Sequence, residues 1–135
     1  MDKKQEKFLI KSQQSELDAV VMYKKLASKY PEYAEKFTSL AADEGRHASV
    51  LKEITGKTLR PKNTLGNFVS CMFSLVGKKF MFKQIAGFEY KAYDTYAPLI
   101  EEYPTMVSVR EDEKRHGDIN MSMLEEEKNK KKAKQ

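Results

Sequence analysis

Four stretches of this chain set apolar side chains at alternating steps of three and four, a spacing that admits little except α-helices packed along inward seams. The second stretch steps through Tyr33, Phe37, Leu40, Glu44, His47, Leu51 and Ile54, and the third through Phe82, Ile85, Glu89, Ala92, Tyr96, Leu99 and Tyr103. The first gives Leu9, Gln13, Glu16, Val20, Tyr23, Ala27 and Tyr30, and the fourth Met106, Val109, Glu113, His116 and Met123. Strand-like alternation is scarce. The spacing therefore predicts an all-α chain with helices near 4–30, 31–55, 79–103 and 104–128. Pro31 and Pro104 each follow a tyrosine and suit a first helical turn, where a missing N–H costs nothing. Between 56 and 78, Gly56, Pro61, Asn63, Gly66 and Gly77 break the pattern, and a short apolar helix fits at 64–76. The expected fold is an antiparallel four-helix bundle with a long crossover between helices 2 and 3.

The seams are interrupted by acids and histidines in matching places. "ADEGRH" (42–47) and "EDEKRH" (111–116) each hold Glu-x-x-His, Glu44 with His47 and Glu113 with His116, one turn apart on one helix face. The partner seams each hold a lone glutamate, Glu16 and Glu89. From Glu16, tyrosines follow at Tyr23 and Tyr30 before Pro31; from Glu89, Tyr96 and Tyr103 stand at the same offsets before Pro104. The halves read as a duplicated hairpin. Folding would bring four carboxylates and two imidazoles into a bundle interior, and bare buried anions cost several kcal/mol each. Two divalent cations would neutralise them. Oxygen and imidazole donors without cysteine suit iron or manganese, with zinc admitted by affinity. Asp43 and Asp112 stand either to orient a histidine ring or to pair with Arg46 and Arg115 as surface ions. Tyr23 and Tyr96, two turns from the lone glutamates on the same face, are candidate proton donors.

Composition removes other classes. The net charge is +5, but much of the excess lies in "KNKKKAKQ" (128–135), which reads as a disordered basic tail at 129–135 after one domain at 1–128. No basic stripe with interleaved aromatics suggests nucleic acid. The longest uncharged segment, 64–77, is too short for a membrane span, and the charged N-terminus lacks a secretory pattern, so the expected location is cytoplasmic. The single cysteine, Cys71, is expected as a small core residue and excludes a disulfide or cysteine-held cluster within one chain.

On these residues the chain resembles the rubrerythrins over about 5–127, specifically their ferritin-like di-iron domain. The resemblance implies two irons, with Glu16 and Glu89 as terminal ligands, Glu44 and Glu113 bridging, and His47 and His116 completing one iron each. It implies an oxidoreductase reducing hydrogen peroxide or O2 in oxidative-stress defence, with Tyr23 or Tyr96 as the proton source. Two departures stand out. Rubrerythrins as a rule add a four-cysteine rubredoxin domain; this chain has none, so the electrons are expected from a separate electron-donor protein or from substrate iron. Family members also usually carry a glutamate three residues after the third-helix ligand, where this chain has Ala92. Rival readings are a ferroxidase or iron-handling protein, a di-iron oxygenase acting on an apolar substrate, and a non-catalytic bundle stabilised by metal. The apolar 64–76 crossover suggests a homodimer.

Overall fold

The computed structural model describes residues 1–133. It begins with a cap: the Asp2 carboxylate accepts the Gln5 N–H at 2.7 Å, satisfying one donor of a first helical turn. Helix α1 then runs Lys3–Lys29. Pro31 opens a 3₁₀ turn, Pro31–Tyr33, from which α2 runs Ala34–Thr55. At Gly56 the backbone takes φ 68°, a left-handed value cheap only for glycine, and its N–H returns to the Lys52 carbonyl at 2.8 Å. Helix α3 follows at Thr64–Val76, α4 at Lys78–Tyr96 and α5 at Met106–Ala133, with a second 3₁₀ turn at Ala97–Leu99. Among the described residues there is no strand. The chain is all-α, as the spacing predicts.

Contacts divide the chain into two units, Met1–Ser70 and the part from Cys71 onward. In the first, α1 and α2 form an antiparallel hairpin, since Gln13 meets Thr55 while Tyr23 meets Phe37. Its core holds Leu9, Tyr23, Leu26, Phe37, Leu40 and Leu51, all fully buried. Burying each such side chain stabilises the fold by about 1.5–3 kcal/mol. Tyr33 packs edge-on against Phe37, which fixes the hairpin turn. The start of α3 lies along α1: Gly66 brings its backbone against Met22, while Lys25 and Lys29 donate to Asn67 and Ser70. In the second unit α4 and α5 form the matching hairpin, with Tyr93 beside Arg110 and Lys78 beside Glu127. Phe82, Met106, Val109 and Met123 are fully buried there, and Phe73 of α3 meets Phe82 edge-on.

Four boundaries differ from the periodicity. The third helix, expected to reach 103, stops at Tyr96 because Pro98 has no N–H to donate and crowds the preceding turn. The fourth starts at Met106, two residues past Pro104, and Pro31 opens a 3₁₀ turn in place of an α-helix. Helix α5 continues beyond 128 to Ala133; residues 134–135 of the expected tail lie outside the described residues. One assignment is overturned: Cys71 is exposed. Helix α3 buries Val69 and Phe73, four apart, and a residue midway between them points to the opposite side.

Candidate metal centre

Two clusters of buried acids and histidines occupy the middles of the hairpins, one in each unit. In the first, Glu16 comes from α1 and Glu44 and His47 from α2; none is more than 3 % exposed. His47 Nδ1 lies 3.3 Å from Glu16 Oε2 and 3.3 Å from Glu44 Oε1. In the second, α4 provides Glu89 and α5 provides Glu113 and His116. His116 Nδ1 lies 3.4 Å from Glu89 Oε2 and 3.7 Å from Glu113 Oε1. The same atoms face each other in both halves: Oε2 of the lone glutamate, Oε1 of the Glu-x-x-His glutamate, and the histidine Nδ1. Within each set the donor atoms lie within 4.8 Å of one another.

This geometry follows from local rules. A three-residue step on a helix aligns glutamate and histidine on one face, and the antiparallel partner presents its lone glutamate at the same height. Leu40 and Leu51 bracket the first pair along α2, and Met106 and Met123 the second along α5, all four fully buried. The acids are thus set in apolar surroundings. Burial, and after it the Glu44 carboxylate, pushes the Glu16 carboxyl up to about 8, against the pull of His47.

The donor set suits a cation. Each half holds two carboxylates facing one imidazole nitrogen, which carries at most one hydrogen and cannot point it at both oxygens. One divalent ion per half would balance two carboxylates and take up Nδ1, Oε1 and Oε2 together. These hard and borderline donors fit iron, manganese or zinc.

Other expected residues are placed more plainly. Tyr23 is fully buried, its ring stacked on Phe37 at 6.0 Å between centroids, and Tyr96 is buried at the end of α4. Asp112 receives Arg115 Nη2 at 3.0 Å, the surface-pair alternative.

Several features near the clusters leave no mark in the apolar seams. Asn120 is fully buried one turn after His116 and donates to its carbonyl at 3.0 Å. It fills the step between His116 and Met123, where a polar residue hid the continuing period. Tyr90, next to Glu89, lays its ring over Gly117, next to His116, and donates to Asp118 Oδ1 at 2.6 Å. Gln13, already on the first seam one turn before Glu16, is buried as that seam predicts; its bond to the backbone beyond α2 is what the period does not show.

The rubrerythrin family model matches residues 7–124 of the chain. No curated protein and no solved structure matches it.

Proposed function

The chain belongs to the rubrerythrin family, and from that premise we propose that it is a non-haem di-iron oxidoreductase that reduces hydrogen peroxide. The observation that carries the reading is the repetition of one buried donor set, a lone glutamate with Glu-x-x-His, atom for atom in the two units. Glu16 and Glu89 are the proposed terminal ligands, Glu44 and Glu113 the bridging ones, and His47 and His116 complete one iron each. Two irons, if bound by these residues, would supply the two electrons that cleavage of one O–O bond consumes.

The protein's own contribution is to hold and to exclude. The burial of all six donors keeps water from the reacting atoms and fixes the carboxylates in place. Tyr23 and Tyr96 are the proposed proton donors to the leaving oxygen. A separate carrier protein is the proposed source of electrons; the single cysteine of these 135 residues builds no four-cysteine centre among them. Among the described residues no helix is long and apolar enough to cross a membrane; the cytoplasmic location is part of the proposal. We also infer a homodimer: α3 leaves Leu65, Phe68, Leu75 and Val76 exposed, an apolar stripe of the kind that pairs subunits. A monomer by light scattering would overturn that part.

The functional test mixes reduced, iron-loaded protein anaerobically with one equivalent of peroxide or with O2 and follows near-ultraviolet absorbance. Faster oxidation by peroxide is the expected result. One observation favours a second reading: Ala92 stands where relatives usually carry a further glutamate, leaving two equal sets of three donors. Such a centre suits a ferroxidase, and faster oxidation by O2, with iron leaving as more Fe(II) is added, would establish it instead.

A further inference from the structure

Between Lys52 and Lys62 the chain carries Lys52, Lys57, Arg60 and Lys62 against a single acid, Glu53, and all four cations are exposed. Lys11 on α1, two residues before Gln13, is exposed as well. A solvated loop would be the ordinary reading of such a run, but this one is fastened at four points. Gln13 Nε2 donates to the Lys57 carbonyl at 2.9 Å and Gln14 Nε2 to the Arg60 carbonyl at 2.8 Å. Thr55 Oγ1 donates to Gln13 Oε1 at 2.5 Å, and Asp18 Oδ1 accepts the Lys62 N–H at 2.8 Å. Gln13 and Thr55 hold each other as well as the loop. The cations are therefore presented on a fixed backbone, which lowers the ordering cost of docking.

Beside the loop lies a groove of about 210 Å³ lined by Gln13, Leu17, Gly45, Ala48, Lys52 and Leu59. Leu17, Gly45 and Ala48 are the chain neighbours of Glu16, Glu44 and His47. Anything seated on the rim of this groove is separated from that cluster by little more than the α1 and α2 backbones.

We propose that this basic rim is the docking surface for the acidic face of a separate one-electron carrier protein, which reduces the centre across the α1 and α2 backbones. The inference deepens the proposed function and rests on it. Two reduced carriers each give up one electron and are oxidised; peroxide takes both electrons and two protons, its O–O bond breaks, and two waters leave. Clustered cations speed the encounter with an acidic partner and make it sensitive to salt, since screening reaches about 10 Å at 0.1 M.

The test uses the full chain and an acidic flavodoxin as the probe carrier. In a nitrogen-15 correlation titration of the zinc-loaded protein with oxidised flavodoxin, amide shifts should cluster at Lys11, Lys52 and 57–62 and vanish in 0.5 M sodium chloride. The triple variant Lys57→Glu, Arg60→Glu, Lys62→Glu should keep its melting temperature and raise Kd at least tenfold. With iron loaded, that variant should lose flavodoxin-driven peroxide turnover while keeping turnover driven by dithionite. Shifts centred elsewhere, for example on the lysines after 128, or an unchanged Kd, would overturn the docking surface and leave the enzyme reading intact. A wild-type protein that turns over no peroxide even with dithionite would sink the enzyme reading, and the titration would still judge the surface by itself.

Discussion

Gly117 has no room for a side chain, because an added Cβ would overlap the Tyr90 ring. Gly117→Ala should displace that ring, break the bond to Asp118 and cost about 1–3 kcal/mol in urea denaturation. Gly87→Ala is the matched control: nothing lies within 4 Å of its added Cβ, and removing a helical glycine should leave stability unchanged or gain up to about 1 kcal/mol. Tyr90 also carries a titration signature. Partial burial, then its bond to Asp118, pushes the phenol up to about 12. Because the folded value exceeds the ordinary 10.0, the associated stability is present below pH 10 and is lost as pH rises through 12. Ultraviolet titration should show Tyr90 ionising late, and Asp118→Asn should bring that step earlier. The glutamates and histidines of the clusters were legible as interruptions of apolar seams. The Tyr90 and Gly117 pair was not, because ring-over-glycine contact depends on how two helices are set against each other and leaves no period in either.

At the scale of elements, the long helices announce themselves and their junctions do not. Gly77 joins α3 to α4 at φ 88° and ψ 163°, a region essentially reserved for glycine. Gly77→Ala should cost about 1–3 kcal/mol, read as a lower melting temperature, although no neighbour lies within 4 Å of its added Cβ. The penalty is backbone strain alone, so Gly77→Asn should be milder than Gly77→Val. Periodicity carried the third helix through Pro98 because Leu99 and Tyr103 keep the step. In the structure Leu99 is still buried, but from a 3₁₀ turn. Apolar spacing reports which side faces inward, and a turn can satisfy it as well as a helix. The same reasoning explains Cys71: α3 carries more apolar residues than its covered side holds, Leu65, Phe68 and Leu75 as well as Val69 and Phe73, and composition does not say which of them are covered.

At the scale of the whole molecule, the acids buried in the hairpins carry a cost that protons or cations must offset. Glu16, with its carboxyl raised from 4.5 to about 8, stabilises the metal-free fold while protonated, below pH 4.5, and that contribution is lost as pH rises through 8. A divalent ion replaces the proton, so zinc or ferrous affinity should climb with pH up to about 8, and binding at pH 6 should release protons measurable in weakly buffered solution. Metal at 100 times its Kd should add about 2.7 kcal/mol, seen in calorimetry as a higher melting temperature that returns on chelation. Glu113→Gln should weaken binding of both ions, whereas Glu16→Gln should weaken one; equal effects would refute the bridging assignment. What the sequence by itself determined was the all-α class, the repeated hairpin and the inward placing of the six glutamates and histidines, since each rests on the helical period within one segment. Tertiary structure decided the rest: that Gln13 holds a basic loop, that Tyr90 needs Gly117, that Asn120 is buried and Cys71 is not. The physical reason is that burial and contact belong to pairs of elements, and the chain's local periodicity encodes only one member of each pair.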